Sequence, residues 1–298
     1  MTKRVSLFFF SLLVISSASQ AEMREWTSSA GKKITAELVS YDKESAKVTI
    51  RMRNDKTYTL TIDKLSEADH TWLEQWHEDQ EKIKAAQKVK HAEMSKNAGK
   101  TIAMKSDGEL PTAYHVYYPQ GFGGSKKYPV LIMFSPGGGG NSILRNVRQG
   151  CDALGWIAVG CDTFKNGGNE KEFTKRFTDL LPHIESSLPH DPEALYLGGM
   201  SGGALRAYDF SGQFERPWKG ILAYGGWLGS KGVETSKKMR VAIVNGDKDK
   251  NANHYVERDT ALLKKKRCKV KEFPFPGGHV IAPPDVTEKA LHWIAEKE

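Results

Sequence analysis

The sequence has few cysteines and no hydrophobic run long enough to cross a membrane. Three of its 298 residues are cysteines, Cys151, Cys161 and Cys268, so at least one is unpaired in a monomer, which is not the pattern of a disulfide-built fold. We expect no bridge between Cys151 and Cys161. The apolar run at residues 5–15 is well short of the roughly 20 residues that a spanning helix needs. Stability must therefore come from a buried core.

The basic segments lack interleaved aromatic residues. Lysine and arginine number 44 against 36 acidic residues, and much of this excess lies around residues 82–100 and 264–267. Surfaces that bind single-stranded nucleic acid combine basic side chains with aromatic rings on which bases stack. These segments do not, so we expect solvated helix faces and no nucleic-acid partner.

Metal-ligand and phosphate-binding motifs are also missing. No cluster of His, Cys, Asp and Glu occurs at the spacing of a metal site. The glycine run at residues 137–140 lacks the Gly-Lys-Ser/Thr of a P-loop and matches the dinucleotide-binding pattern only in part. We expect neither a metal nor a cofactor.

The first 21 residues are ordered like a secretory signal peptide. Lys3 and Arg4 precede the apolar run, and small residues lead to Ala21, after which we expect cleavage. No cysteine follows the run to carry a lipid, so we expect no stable membrane anchor. The predicted location is secreted or periplasmic.

Residues 22–80 have the pattern of a small β unit. Short segments with period-two alternation are separated by turn residues, which predicts an antiparallel sheet. The predicted strands are residues 34–39, 46–52 and 57–62. Ser66 follows them at a position suited to cap the N-terminus of a short helix.

The order of residues in this unit resembles a known module. Arg24-x-Trp26-Thr27, Gly31, the strands and Leu65-Ser66-x-x-Asp69 are similar to SLA1 homology domain 1 modules. Such modules are SH3-like barrels that often occur on secreted bacterial enzymes. The resemblance implies an SH3-like β-barrel with an accessory or binding role, whose ligand the sequence does not identify.

Residues 81–100 separate this unit from a second domain, residues 101–298. The separating segment is rich in Glu, Lys, Ala and Gln, which predicts an exposed helical linker. Beyond it, apolar runs alternate with helical stretches, which predicts an α/β domain with a wound, mostly parallel sheet. Residues 114–118 are expected to add an antiparallel edge strand.

A serine lies in a strand-turn-helix context. Residues 194–197 are a predicted buried strand, followed by Gly199-Met200-Ser201-Gly202-Gly203 and a helix-forming stretch. Gly-x-Ser-x-Gly in this context is a nucleophile elbow, in which glycines let strand and helix approach closely. We predict Ser201 as a nucleophile.

A serine nucleophile needs a base and a carboxylate that orients the base. In chain order the acid and then the histidine follow the serine. His279, after the glycines of the loop at residues 273–278, is preferred to His254 and His292.

For the acid, the strand at residues 241–245 ends in Gly246-Asp247-Lys248-Asp249. A carboxylate just past the end of this strand is suitably positioned to orient the base. Asp249 is the preferred acid and Asp247 the alternative.

The glycine run after the strand at residues 128–134 suits an oxyanion-binding loop. Catalysis by a serine requires N–H donors for the developing oxyanion. We expect one from Gly202 and a second from Gly137 or Gly138.

These elements in this order resemble the α/β-hydrolase superfamily over residues 101–298. The resemblance extends to compact carboxylesterases and to the polyhydroxybutyrate-depolymerase-like and feruloyl-esterase-like branches. Many relatives have His-Gly before the oxyanion glycines, where this chain has Ser135-Pro136. Residues 225–239 leave no room for a cap domain, so the site should be open. Trp227 would either pack on an acyl or aromatic group of the substrate there or have a structural role.

The resemblance implies a serine hydrolase that cleaves carboxylic esters, including polymer-linked esters, through an acyl-enzyme. Two alternatives stay open at this point. A prolyl-oligopeptidase-like peptidase would use the same residues, and a non-catalytic binding protein would use the same scaffold.

Overall fold

Two separate β-sheets form in this chain, one in each of two units that divide after Gln87. The computed structural model describes residues 23–229 and 235–296. The predicted signal peptide, residues 1–21, lies outside the described residues.

The first unit holds a four-stranded antiparallel sheet in the order β1-β2-β3-β4. Trp26, Ala36, Val48 and Ile50 from its strands are buried together. The predicted antiparallel unit is confirmed, and its closure into an SH3-like barrel stays a prediction. The elements are β1 Met23–Thr27, β2 Lys33–Asp42, β3 Lys47–Met52, β4 Thr57–Thr61, a 3₁₀ turn Ile62–Lys64 and helix α1 Glu67–Ser95.

The second unit holds an eight-stranded mixed sheet in the order β12-β11-β10-β9-β7-β8-β6-β5. Strands β7 to β12 are parallel, whereas β5 and β6 pair antiparallel at one edge. The predicted mostly parallel sheet is confirmed. Residues 114–118 fall largely on β6, which is antiparallel as predicted, but β6 is not the edge strand, because residues 101–105 pair outside it as β5. The strands are β5 Thr101–Lys105, β6 Ala113–Tyr117, β7 Tyr128–Phe134, β8 Ile157–Cys161, β9 His190–Met200, β10 Trp218–Tyr224, β11 Arg240–Val244 and β12 Lys269–Glu272.

Helices cover both faces of this sheet, which explains why its central strands are continuous apolar runs. In β7, Val130 and Ile132 belong to one buried cluster, and Leu131 and Met133 belong to the other. Helices α4, α5 and α6 contribute to the first cluster, and α2, α3 and α7 to the second. Among the described helices, none is long and apolar enough to span a bilayer. Their bounds are α2 Gly140–Leu144, α3 Arg148–Leu154, α4 Glu170–Ser187, α5 Gly202–Gln213, α6 Val256–Lys265 and α7 Pro284–Ala295.

The parallel strands end level with one another. Phe134 at the end of β7 pairs with Gly199 of β9 and Cys161 of β8, and Tyr224 of β10 pairs with Met200 and Val244. The loops that follow these strands therefore gather at one edge of the sheet. In open α/β sheets this carboxyl edge is where ligands bind.

The three cysteines are free thiols, and each is buried. Cys151 lies in α3 and Cys161 at the end of β8. Burial raises the pKa of all three thiols, so few of them are thiolates at neutral pH.

Candidate active site

Ser201 lies in the turn between β9 and α5 with a backbone conformation that side chains rarely adopt. Its φ is 53° and its ψ is −122°. The Ser201 N–H donates to the carbonyl of Tyr224 at 2.8 Å, which ties the turn to the end of β10. Unusual backbone of this kind concentrates at functional sites because the surrounding structure must hold it.

Two flanking glycines make this turn possible. A Cβ on Gly203 would collide with the carbonyl oxygen of Phe134, and one on Gly199 would collide with the backbone of Gly203. Strand β9, helix α5 and the end of β7 thus approach more closely than any side chain allows. The close approach holds Ser201 at the edge of the sheet.

The structure brings Ser201, His279 and Asp249 into one hydrogen-bonded chain. The Ser201 hydroxyl lies 3.0 Å from His279 Nε2, and His279 Nδ1 lies 2.8 Å from Asp249 Oδ2. With Nδ1 protonated, the ring donates to Asp249 and accepts from the serine hydroxyl. Asp249 is only 1% exposed, and its Oδ1 accepts from the N–H groups of Asn251 and Ala252.

The alternative residues have other contacts. His254 Nδ1 lies 3.1 Å from the carbonyl of Lys250, and His292 lies 3.8 Å from Glu288 on α7. Neither ring contacts Ser201 among the described residues. The arrangement singles out His279 as the ring next to the serine.

Asp247 holds the loop that carries the histidine. Its Oδ1 accepts from the Gly277 N–H at 3.0 Å, and its own N–H donates to Phe275 at 2.8 Å. A Cβ on Gly246 would collide with the carbonyls of Gly277 and Gly278, so the two loops run in close contact. The two carboxylates therefore have different partners. Asp249 hydrogen-bonds to the His279 ring, and Asp247 hydrogen-bonds to the loop that carries this ring.

The predicted oxyanion donors differ in whether their N–H groups already make hydrogen bonds. Within the described residues, no hydrogen bond uses the Gly202 N–H, as expected for the first turn of a helix. The Gly138 N–H donates to the Ser135 carbonyl at 3.0 Å, and the Gly137 N–H donates to the Ser135 hydroxyl at 3.3 Å. All three follow strands that end at this carboxyl edge, Gly202 after β9 and the other two after β7. Their role in catalysis stays a prediction.

Asn166 also lies beside the nucleophile, and sequence reasoning did not identify it. It belongs to the loop between β8 and α4, and its amide fills the space where a side chain on Gly202 would stand. The sequence signal was indirect. A polar residue follows a buried parallel strand, and the glycine at position 202 has no side chain to fill the space that the amide takes.

Trp227 is half-buried in the segment after β10. Its ring stacks on Tyr255 with centroids 5.3 Å apart and planes at 23°, and the Arg258 guanidinium covers the other ring at 4.6 Å. One face of Trp227 thus has a structural partner. A substrate contact by the remainder of the ring stays a prediction.

No metal site is evident in residues 23–229 and 235–296, because no group of three His, Cys, Asp or Glu side chains there could hold an ion. Ser201, His279 and Asp249 together offer a hydroxyl, an imidazole and a carboxylate at this edge. These three groups in series can generate a serine nucleophile and protonate a leaving group.

Comparison with known proteins gives a fold. No protein-family model and no curated protein matches the sequence. Solved structures do match. An S-formylglutathione hydrolase from Agrobacterium tumefaciens has a TM-score of 0.52 at 13% identity, over 67% of this chain and 95% of that one.

Two further structures give the same result. A ferulic acid esterase matches with a TM-score of 0.51 at 16% identity, over 65% of this chain and 96% of its own. The fluorophosphonate-binding serine hydrolase F of Staphylococcus aureus matches with 0.53 at 11%, over 67% and 100%. Such low identities indicate shared fold alone. The chain has the α/β-hydrolase fold, as the sequence resemblance predicted.

Proposed function

We propose that this protein is a serine hydrolase that cleaves carboxylic esters through an acyl-enzyme intermediate. The observation that carries the proposal is the hydrogen-bonded chain from the Ser201 hydroxyl through His279 to the buried Asp249. The fold supports it, because esterases and serine hydrolases are among the structures with the same fold.

In the first half-reaction, Ser201 Oγ attacks the ester carbonyl carbon while its proton moves to His279 Nε2. The carbonyl π electrons move onto oxygen, giving a tetrahedral oxyanion, and Asp249 stabilises the imidazolium. The oxyanion then re-forms the C=O bond as the bond to the alcohol oxygen breaks. His279 returns its proton to that alcohol, which leaves.

In the second half-reaction, water takes the role of the serine. His279 Nε2 accepts a proton from the water as its oxygen bonds to the acyl carbon. The second oxyanion collapses, the bond from carbon to Ser201 Oγ breaks, and His279 returns the proton to the serine. The products are a carboxylic acid and the restored enzyme.

We propose an open site that accepts bulky esters outside the cytoplasm. Only residues 225–239 separate β10 from β11, far fewer than the roughly 50 residues of a small domain. Together with the expected signal peptide, this favours polymer-linked or plant-derived esters as substrates and a secreted or periplasmic location.

The proposed role of residues 22–80 is that of an accessory module similar to SLA1 homology domain 1, joined by residues 81–100. The three hydrogen-bonded residues Ser201, Asp249 and His279 all lie in the second unit. Proteolytic cleavage within residues 81–100 should therefore leave a fragment that hydrolyses small soluble esters. Loss of both folding and small-ester activity would contradict this division.

The test of the function is covalent labelling with a fluorophosphonate probe, combined with hydrolysis of p-nitrophenyl esters. The wild-type protein should label and turn over. Ser201→Ala should lose both while its Tm stays unchanged. Ser186→Ala is the matched control, because this serine lies on α4 and, among the described residues, its hydroxyl donates a hydrogen bond only to the His183 carbonyl.

Each other result has a distinct meaning. A wild-type protein that neither labels nor turns over would indicate a binding protein on a hydrolase scaffold and would overturn the proposal. Labelling at Ser201 with faster cleavage of peptides than of esters would replace the esterase with a peptidase. Labelling of the Ser201→Ala variant would move the nucleophile to another residue.

A further inference from the structure

Asn166 is a polar side chain at the nucleophile for which the proposed mechanism has no use so far. Asn166 is an exposed residue in the loop between β8 and α4. Within the described residues its amide makes no hydrogen bond, although its backbone N–H does. An unengaged amide beside a reactive serine is available to a ligand.

The backbone supplies few free donors at this position. The Gly202 N–H has no acceptor in the described part of the chain, but the Gly138 N–H already donates to a carbonyl and the Gly137 N–H to a hydroxyl. An oxyanion accepts two or three hydrogen bonds when it is well stabilised, and each donor matters because the charge develops away from bulk water. A side chain at this position would add a further donor.

The Asn166 side chain packs against the elbow. Its amide occupies the position of an absent side chain on Gly202, with Oδ1 nearest to where that Cβ would be and Nδ2 2.9 Å from the same point. The amide is therefore next to the residue whose N–H is the first predicted donor. Because no hydrogen bond to a described residue fixes the amide, a rotation of its last torsion presents Nδ2 to an oxygen bound at this point.

The loop that carries Asn166 is held at both ends. The Asn166 N–H donates to the Pro136 carbonyl at 2.8 Å, which ties it to the predicted oxyanion loop. Phe164 before it is 1% exposed, and Glu170 after it receives two hydrogen bonds from Arg206 of α5. A residue held in this way can present its amide with little loss of entropy on binding.

We propose that the Asn166 amide is a catalytic hydrogen-bond donor, which binds the substrate carbonyl oxygen together with the Gly202 N–H and strengthens that bond as the oxyanion forms. This role rests on the proposed function, because it requires Ser201 to attack a carbonyl. No bond is made or broken at Asn166. It donates a hydrogen bond through Nδ2 and keeps its proton throughout.

The first test is steady-state hydrolysis of p-nitrophenyl acetate by Asn166→Ala. Loss of a side-chain oxyanion donor lowers kcat by about 10²–10³-fold in a serine hydrolase. We expect a loss in this range with KM nearly unchanged, because the donor acts on the transition state. Asn166→Asp keeps the size of the side chain but replaces the donor with a carboxylate, and should lose at least as much.

The matched control is Asn169→Ala, the same substitution in the same loop. Asn169 caps α4 by accepting from the N–H groups of Lys171 and Glu172. Its removal should lower Tm and, like other changes that loosen this loop, lower kcat by no more than about tenfold, well short of the loss expected in Asn166→Ala. A loss of kcat equal to that of Asn166→Ala would mean that any disturbance of the loop impairs catalysis.

A thionoester with the same leaving group distinguishes a donor from a structural residue. Sulfur is a weak hydrogen-bond acceptor, so a donor to the oxyanion favours the oxygen ester. The ratio of oxygen-ester to thionoester turnover should fall in Asn166→Ala. A structural residue would lower both rates equally and leave the ratio unchanged.

The two proposals fail in different ways. If the wild-type protein turns over and Asn166→Ala keeps full kcat and the same ratio of oxygen-ester to thionoester turnover, the role of Asn166 is overturned. The proposal of a serine hydrolase then still stands. A wild-type protein that neither labels nor turns over would overturn both. If Asn166→Ala does not fold, Asn166→Asp decides, and full kcat in that variant would contradict the proposed donor.

Discussion

The two sides of the candidate active site are held to different degrees. On the base side, the Asp249 carboxylate is 1% exposed and accepts hydrogen bonds from His279 and from two backbone N–H groups. On the predicted oxyanion side, the Asn166 amide and the Gly202 N–H make no hydrogen bond with any of the described residues. One side is complete without substrate, whereas the other has donors with no acceptor.

Under the proposed mechanism this difference has a chemical reason. The base must keep its orientation through two proton transfers in each half-reaction, so a fixed carboxylate serves it at every step. The oxyanion exists only in the transition states and intermediates, and donors that gain their acceptor there raise kcat rather than ground-state binding. Unengaged donors are thus suited to their side of the site.

The largest expected effect comes from breaking the base side. Asp249→Asn removes the charge that stabilises the imidazolium and favours the wrong tautomer of His279. In a serine protease triad the equivalent change lowers kcat by about 10⁴-fold, and we expect a similar loss here in hydrolysis of p-nitrophenyl acetate. The Tm must be measured in parallel, since Asp249 also accepts two backbone N–H groups. A folded variant with nearly full turnover would contradict the assignment of the acid.

The second effect tests the oxyanion side through Gly202→Ala. The added methyl would occupy the space of the Asn166 amide, which is the end of a flexible side chain and can rotate away. We expect kcat to fall by about 10²-fold, as for loss of the donor itself. The double variant with Asn166→Ala should lose little more than either single one, because coupled residues are not additive. Full additivity would mean that the two residues act independently.

The fold was predictable because its signals are local. Continuous apolar runs such as residues 128–134 and 220–224 identify strands that are buried on both faces, and the structure places strands there. Strand β1, Met23–Thr27, was not predicted as a strand, because its five residues include Arg24 and Glu25 and show no clear alternation. Its place in the sheet depends on pairing with β2, which a single segment does not reveal.

The juxtaposition of residues in the candidate site was predictable where chain order and glycine spacing determine it. Ser201, Asp249 and His279 follow their strands in the expected order, and the structure brings them together. Asn166 was missed because its position depends on where β8 and β9 end relative to each other and on the space left by the missing side chain of Gly202. Neither is a property of the residues around Asn166.

A smaller effect is expected at the ion pair that holds the Asn166 loop. Arg206 is 6% exposed and makes hydrogen bonds of 2.6 and 3.0 Å to Glu170, whose side chain is 68% exposed. Glu170→Ala leaves a buried guanidinium without its acceptor, a cost of about 1–3 kcal/mol. Arg206→Met keeps the apolar volume and leaves Glu170 in water, so it should cost less.

Both variants should lower kcat by about threefold to tenfold, because a looser loop presents Asn166 less often. Thermal unfolding and p-nitrophenyl acetate turnover measure the two effects separately. A greater loss of Tm in Arg206→Met than in Glu170→Ala would contradict the burial argument. Unchanged kcat in both would show that other contacts hold the loop.

The smallest effect is expected at Asp247, on the base side but one contact away from the ring. Its Oδ1 accepts from the Gly277 N–H in the loop that carries His279. The amide oxygen in Asp247→Asn can accept the same hydrogen bond, so kcat should stay within about threefold of wild type. Asp247→Ala removes the acceptor and leaves the loop less constrained, which should cost up to about tenfold through misplacement of the imidazole. Turnover of both variants, compared with Asp249→Asn and with folding checked by Tm, measures this difference. A larger loss in Asp247→Asn than in Asp249→Asn would move the acid two residues upstream, and it would mean that the fixed carboxylate on the base side is not the one that the catalytic histidine uses.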